Sequence, residues 1–134
     1  MAGSAFDAVG LVVTDMFRTL EFYRLLGLQI KDAEMAEASV EVTLPGGMKI
    51  LFSTEEGVRR FDPGFRPPGG RGRVSLAFRC GSPMEVDALH AAVVDAGFAS
   101  AVEPFDVFWG DRFATVLDPD GTRVDLYARL AATT

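Results

Sequence analysis

The residues that could ligate a metal ion or act as a nucleophile are few in this sequence. His90 is the only histidine and Cys80 the only cysteine. A single cysteine cannot form an internal disulfide, and it does not provide a Cys-based zinc site, which needs several sulfur ligands. His90 falls in the middle of a predicted helix, so we interpret it as a surface or half-buried structural histidine.

Aromatic residues are concentrated between positions 105 and 113. This stretch contains Phe105, Phe108, Trp109 and Phe113. Large rings stack well on planar ligands, but they also pack in ordinary protein cores. Two interpretations therefore stay open here: core packing, or a pocket wall formed by Phe108 and Trp109. Phe52 and Phe61 are candidates to extend such a wall from the first half of the chain.

The charge and composition exclude several classes of protein. The formal net charge of −6 disfavours non-specific nucleic-acid binding, which requires a basic surface. No apolar run approaches the ~20 residues of a membrane-spanning helix, and the first residues lack a signal-peptide pattern. We expect a globular cytoplasmic protein with no nucleic-acid or membrane partner. A basic cluster is either a solvated loop or a patch beside a ligand or partner site: Arg59, Arg60, Arg66, Arg71 and Arg73.

The first half of the chain predicts one helix among short strands. Thr14 or Asp15 can cap the helix, whose apolar spacing ends at Gly27. The predicted strands are Ala8–Val13, Leu28–Ile30, Val40–Leu44 and Met48–Ser53, with a turn at Pro45-Gly46-Gly47. Residues 55–72 are rich in proline and glycine, and we interpret them as a loop-rich linker without regular structure that borders the site.

The same order of elements begins again after this linker. Ser82 can cap a second helix, and Glu85 three residues later matches a capping box. Its predicted apolar stripe contains Met84, Val86, Leu89, Val93 and Val94, and the helix ends at Gly97. The predicted strands are Val74–Cys80, Ala101–Pro104, Phe113–Leu117 and Arg123–Tyr127, with a turn at Asp118-Pro119-Asp120-Gly121.

This repetition predicts the architecture. We expect a single α+β domain over residues 1–134, made of two repeats at about 5–54 and 73–128. Each repeat alone would be a curved sheet with one helix. Two such sheets can enclose a cleft, and a small-molecule ligand would bind there.

Several stretches resemble the vicinal oxygen chelate superfamily of glyoxalases, bleomycin-resistance proteins and extradiol dioxygenases. The opening of that family is similar to Ala8–Asp15 followed by Phe22–Leu28, and the start of its second half to Ser75–Phe78. Its C-terminal signature is similar to Phe108–Arg112 and Leu117–Tyr127. The resemblance covers essentially the whole chain. It implies two βαβββ repeats that form a curved mixed sheet around a cleft, and a homodimer.

The metal-dependent members of this superfamily hold their metal with four ligands, typically His, Glu, His and Glu. The resemblance also indicates which positions of this chain correspond to those ligands. Their positions correspond here to Ala8, to Ile50 or Leu51, to Ser75 and to Asp125. Only Asp125 would be a strong ligand, and one carboxylate cannot hold zinc or iron against water. We therefore expect no metal and no other cofactor, although a shifted ligand at Glu55 or Glu56 stays open.

If Ala8, Ser75 and Asp125 face the cleft, strand alternation selects their neighbours on the same face. These are Gly10, Val12, Ala77, Arg79, Arg123 and Tyr127, while Val9, Leu11, Leu76, Phe78, Val124 and Leu126 face the helices as core. A carboxylate in an apolar cleft needs a partner, and Arg79, Arg112 and Arg123 are candidates for Asp125. Asp125 is then part of a structural ion pair, an anchor for a cationic ligand group, or a general base.

These residues predict a metal-free protein that sequesters a hydrophobic or partly cationic small molecule. The alternative is a glyoxalase-like enzyme, a relative of lyases, isomerases or dioxygenases, that uses Asp125 as an acid or base. The predicted ligand-binding residues are Ala8, Gly10, Phe52, Ser75, Arg79, Phe108, Trp109, Arg112, Asp125 and Tyr127. Asp125 is the predicted catalytic residue of the alternative.

Overall fold

The structure, a computed structural model, describes residues 3–69 and 73–131. The chain divides into two compact units, Met1–Gly69 and Gly70–Thr134. Each unit combines strands with helices in βαβββ-like order, which confirms the predicted α+β class. Within the described residues, no helix has the length and apolar character needed to cross a membrane.

The first unit is a three-stranded sheet with helices. Its elements are β1 (Ala8–Val13), α1 (Met16–Leu25), a 3-10 helix (Asp32–Glu34), β2 (Ser39–Thr43), β3 (Lys49–Thr54) and α2 (Glu55–Arg59). The strand order is β1-β3-β2, with β1 parallel and β2 antiparallel to β3. The strand that should follow α1 in a complete βαβββ order is replaced here by an irregular segment.

Helix α1 begins where the sequence provides a cap. The carboxylate of Asp15 accepts a hydrogen bond from the backbone N–H of Arg18 at 3.0 Å, which satisfies one free donor of the first turn. The chain leaves the helix through Gly27, whose φ of 105° favours glycine. The buried face of α1 packs on the sheet, and the Tyr23 ring lies 5.3 Å from that of Phe52.

The predicted strand Leu28–Ile30 is wrong. These residues form no strand, although Leu28 and Ile30 are buried. The guanidinium of Arg24 donates to the carbonyl of Ile30 at 2.6 Å and pairs with Asp32 at 3.1 Å. A side chain therefore satisfies this buried carbonyl, which would otherwise require a neighbouring strand.

The prediction of a segment without regular structure is wrong at its start. Residues Glu55–Arg59 form α2, because the Thr54 hydroxyl caps the helix by accepting from the Gly57 N–H at 3.0 Å. The first proline of the segment, Pro63, comes only after this helix has ended. Residues 70–72, with Arg71 of the basic cluster, lie outside the described residues.

The second unit is a four-stranded sheet with one helix. Its elements are β4 (Ser75–Arg79), α3 (Pro83–Asp95), β5 (Ala99–Val107), β6 (Asp111–Leu117) and β7 (Arg123–Arg129). The strand order is β4-β7-β6-β5; β4 runs parallel to β7, and the other pairs are antiparallel. Helix α3 packs against β5, β6 and β7, so one face of this sheet is covered by a helix.

Helix α3 is capped as predicted, with one difference. Ser82 Oγ accepts from the Glu85 N–H at 3.3 Å, while the Glu85 carboxylate accepts from the N–H of Gly81. The predicted apolar stripe is wrong for Met84 and Val94, which are exposed. The buried face contains Val86, His90 and Val93, spaced at i, i+4 and i+7 as one helical face requires.

The alternation predicted for the last strand is confirmed. Val124, Leu126 and Ala128 are buried, whereas Arg123, Asp125 and Tyr127 between them are half-buried. The turn before this strand also forms as predicted. The buried carboxylate of Asp118 accepts from the N–H groups of Asp120 and Thr122, and Gly121 has a φ of 83°.

Phe52, predicted as a ligand contact, belongs to the core of the first unit. Its ring is fully buried, because Phe52 points to the α1 side of β3. We predict that Phe52→Ala lowers the free energy of unfolding by about 3–5 kcal/mol, the usual loss for a large buried ring. Phe108→Ala, at a ring that is 96% exposed, should change it by less than ~0.5 kcal/mol. Urea unfolding of both variants tests this, and equal losses would contradict it.

Candidate functional site

Strand register brings most of the predicted site residues of the second unit onto one side of its sheet, the face opposite α3. Three cross-strand rows define this face. They are Ser75–Arg123–Leu117, Ala77–Asp125–Thr115 and Arg79–Tyr127–Phe113–Phe105. The face therefore carries two guanidinium groups, one carboxylate and three aromatic rings on adjacent strands.

Asp125 is held by a hydroxyl group. Thr115 Oγ1 donates to Asp125 Oδ1 at 2.7 Å, and Thr115 itself is fully buried. Arg123 Nη2 donates in turn to Thr115 Oγ1 at a long 3.5 Å. A hydroxyl can donate one bond and accept others, so Thr115 links the two side chains. This bond fixes the orientation of the carboxylate.

Arg112 does not lie beside Asp125. Its guanidinium donates to Asp87 on α3 at 2.9 Å and to Asp106 on β5 at 3.1 Å. These hydrogen bonds raise the pKa of Arg112 above its ordinary value. Strand alternation explains the placement, because residue 112 points to the α3 side of β6. Arg112, one of the candidate partners from the sequence, therefore does not pair with Asp125. No ion pair with Asp125 occurs among residues 3–69 and 73–131.

The aromatic residues at the end of the second sheet form a connected cluster, which we call the aromatic cluster (Phe105, Phe108, Trp109 and Phe113). The Trp109 ring lies 4.9 Å from that of Phe108 and 5.9 Å from that of Phe113, both edge to face. Phe105 lies 6.3 Å from Phe113. Phe105 is 46% and Trp109 51% exposed. Such exposure of large rings is unusual for a packed core.

A tight turn presents this cluster. Strand β5 continues to Val107 and β6 begins at Asp111, so both strands extend beyond the predicted Ala101–Pro104 and Phe113–Leu117 and meet in a hairpin over residues 105–113. Gly110, with a φ of 98°, closes the turn. The indole N–H of Trp109 donates to Asp111 at 3.1 Å, which limits the rotation of the ring.

The remaining predicted residues belong to the first unit. Ala8 and Gly10 lie on β1, on the side away from α1, opposite Lys49 and Leu51 of β3. Open space surrounds the position that a Cβ would take at Gly10. Ile50, one of two positions considered for a metal ligand, is buried in the core, so Leu51 is the one that shares a face with Ala8.

The donor groups at the four expected ligand positions do not fit a metal. Ala8 and Leu51 provide no donor atom, and Ser75 is a weak neutral ligand. No group of three or more His, Cys, Asp or Glu side chains in the described part of the chain is arranged to hold a metal, and this covers Glu55 and Glu56. His90 is 6% exposed and bonds Ser100 at 2.8 Å from the α3 side of the sheet.

The first unit contains a pocket that the sequence interpretation did not identify. It has a volume of about 580 Å³ and lies where the parallel strands β1 and β3 end. Its lining is Thr14, Met16, Phe17, Met35, Ala36, Glu37, Ala38, Thr54, Glu55, Glu56 and Arg59. Thr14 directly follows β1, and Thr54 is the last residue of β3 directly before α2. These hydroxyl residues at two strand ends are the signal that could have located the pocket. None of the predicted ligand-binding residues lines this pocket.

Comparison with known proteins gives a match over most of the chain. A family model matches residues 5–126, and its description is the Glyoxalase/Bleomycin resistance protein/Dioxygenase superfamily. No curated protein matches the chain.

Solved structures share the fold. A glyoxalase/bleomycin resistance protein/dioxygenase family enzyme from Burkholderia phytofirmans PsJN has a TM-score of 0.79 at 19% identity, over 95% of this chain and 100% of its own. A glyoxalase-related enzyme from Fulvimarina pelagi has a TM-score of 0.77 at 18% identity, over 96% and 89%. Protein ATC0852 from Agrobacterium tumefaciens has 0.69 at 26% identity, over 96% and 99%. These likenesses establish a common fold and bring no activity to this chain.

The hydrogen bond between Thr115 and Asp125 gives a stability prediction. Thr115→Val removes the hydroxyl and leaves Asp125 Oδ1 without its donor, so the free energy of unfolding should fall by about 1–3 kcal/mol. Thr115→Ser keeps the hydroxyl and should lose less. Urea unfolding of Thr115→Val with and without Asp125→Ala forms a double-mutant cycle, and losses that add within ~0.5 kcal/mol would contradict the coupling.

Cys80 gives a prediction about reactivity. Burial raises the pKa of its thiol, and the charge of Glu85 raises that pKa further. Fewer thiolates are present at a given pH, and the thiolate is the nucleophile. The rate of alkylation by iodoacetamide should therefore rise with pH to a midpoint above that of the urea-unfolded protein. The pH profile separates this effect from simple shielding, which would lower the rate without moving the midpoint.

Proposed function

Because the chain belongs to the glyoxalase/bleomycin resistance protein/dioxygenase superfamily, we propose that it is a small-molecule binding protein. It binds a hydrophobic or partly cationic ligand on the face opposite α3 and sequesters it without a metal. The donor groups at the family's ligand positions do not suit metal chemistry, whereas exposed rings and a fixed carboxylate suit non-covalent binding.

The observation that carries this proposal is the exposed aromatic cluster. Removal of a large ring from water is favourable. A protein surface that leaves Phe105, Phe108 and Trp109 in solvent therefore lacks this stabilisation until another molecule covers the rings. The hydrogen bond from Trp109 to Asp111 restricts one of these rings before any ligand arrives. A restricted ring loses less entropy on binding, which favours affinity for a planar molecule.

Asp125 supplies the polar contact of the proposed site. Its Oδ1 is occupied by Thr115, and the described residues provide no hydrogen bond to Oδ2. A ligand N–H or ammonium group can donate to this second oxygen. The row that contains Asp125 is adjacent to the row of Tyr127, Phe113 and Phe105, so one ligand can reach both the carboxylate and the rings.

An enzyme that uses Asp125 as an acid or base is the second candidate. It is favoured by the same half-buried, oriented carboxylate, which is the kind of group that transfers protons in active sites. The two candidates differ in the expected behaviour of Asp125→Asn. If Asp125 only anchors a ligand, this variant weakens binding; if it transfers protons, the variant retains binding and loses turnover.

Binding of a planar amine tests the proposal. Calorimetry with 2-naphthylmethylamine should show one site per chain, and the compound should be recovered unchanged. Trp109→Ala should weaken binding about tenfold, because a stacking ring of this size is lost. Phe61→Ala removes an exposed ring of the first unit and is the matched control, with no expected change. Trp109 is the only tryptophan, so its fluorescence reports occupancy in the unmodified protein. The proposal fails if binding is absent or if both variants bind equally.

A further inference from the structure

Two arginines on the face opposite α3 have no ionic partner. Arg79 on β4 and Arg123 on β7 take part in no ion pair among residues 3–69 and 73–131. The only polar contact of the Arg123 side chain there is the 3.5 Å bond to Thr115, and Arg79 has none. Most N–H donors of both guanidinium groups are thus unused.

Carboxylates are not scarce in this protein, yet Arg79 and Arg123 differ from the other arginines on the strands of this sheet. The chain has 19 acidic against 13 basic residues. Arg112 and Arg129, the other two arginines on the strands of this sheet, are paired, Arg112 with Asp87 and Asp106 and Arg129 with Asp111. Arg59, Arg60, Arg66 and Arg73 also form no ion pair among the described residues, but they lie outside the strands. Even Asp125, whose row lies between those of Arg79 and Arg123, is held by Thr115 instead of by either arginine.

The register places the two arginines around the centre of the proposed site. Arg123 lies two residues before Asp125 on the same strand, and Arg79 lies opposite Tyr127, two residues after it. The residues beside Arg123 and Asp125 on β4 are small and exposed, namely Ser75 and Ala77. Both long side chains can therefore extend over this part of the sheet. Arg79 also shares its row with Tyr127, Phe113 and Phe105.

We propose that the ligand of this face is an aromatic molecule with a carboxylate group, which binds Arg79 and Arg123 while its ring packs on the aromatic cluster. This inference rests on the proposed binding function and changes one part of it, because the ligand is an acidic aromatic molecule rather than a partly cationic one. The three charged groups of the rows sum to +1, so an anion is favoured over a cation of equal size. A planar guanidinium matches the two oxygens of a carboxylate. A donor group on the same ligand would still bond to Asp125.

Three naphthalene compounds of similar shape separate the charge preference from ring binding. They are 2-naphthoate, which is an anion at neutral pH, the neutral 2-naphthamide, and the cationic 2-naphthylmethylamine. We expect 2-naphthoate to bind about three- to tenfold more tightly than 2-naphthamide at low salt, as two partly exposed ion pairs allow. Added salt should reduce this ratio, because it screens exposed charges.

Arginine variants locate the preference on this face. Arg79→Gln combined with Arg123→Gln should bring the ratio of the two affinities close to one and leave the affinity for 2-naphthamide almost unchanged. Arg129→Gln is the matched control. Arg129 lies on the same strand with the same alternation, but it already pairs with Asp111. Loss of the Arg129 guanidinium should not alter the ratio of the affinities for 2-naphthoate and 2-naphthamide.

The outcomes distinguish the inference from the proposed function. If 2-naphthoate and 2-naphthamide bind equally, or if 2-naphthylmethylamine binds best, the acidic ligand is rejected and the binding function stands. If a preference for 2-naphthoate survives the double arginine variant, the inference is also rejected. If no compound binds and light scattering shows a dimer that Trp109→Ala dissociates, the cluster is an interface between copies, and both proposals fail.

Discussion

The alternation of side chains along β7 is the constraint on which the second unit depends. Val124, Leu126 and Ala128 must all point to one side, because α3 covers that side and buries them. Because successive side chains of a strand point to opposite faces, Arg123, Asp125 and Tyr127 must lie on the other side. A slip of one residue in register would bury a carboxylate and two other polar side chains under the helix. Stability of the core therefore fixes the chemistry of the face opposite α3.

Thr115 holds the carboxylate of Asp125 in a fixed orientation on this face. It is fully buried, so its hydroxyl needs partners, and it finds Asp125 as acceptor at 2.7 Å. The carboxylate is thereby held without a salt bridge, and the arginines of neighbouring rows are left with unused donors. A direct ion pair between Asp125 and Arg123 would have used both groups for structure. The intervening threonine leaves one carboxylate oxygen and most guanidinium donors available to a ligand.

On the other side of β6, which faces α3, an arginine does form ion pairs, and these pairs stabilise the fold. Arg112 bonds Asp87 on α3 and Asp106 on β5, so the helix and the hairpin are joined by charge-assisted hydrogen bonds. The hairpin carries the aromatic cluster at its turn, and Gly110 provides the conformation that this turn needs. Arginine therefore stabilises the fold at position 112, where two carboxylates accept its hydrogen bonds. At positions 79 and 123, where it forms no ion pair among the described residues, most of its donors stay unused.

Much of the local structure could be predicted from the sequence alone, because it depends on residues that are close in the chain. The caps at Asp15 and Ser82, the turn at Asp118–Gly121 and the two faces of β7 each follow from a spacing of two to four residues. Errors arose where a distant or competing contact decided, as when Arg24 satisfied Ile30 in place of a strand. Ring exposure also could not be read from the sequence, since the same aromatic spacing suits a core or a surface. The partners of Arg112 and Asp125 were decided only by the tertiary structure, because strand register and helix packing bring together residues that lie far apart in the chain.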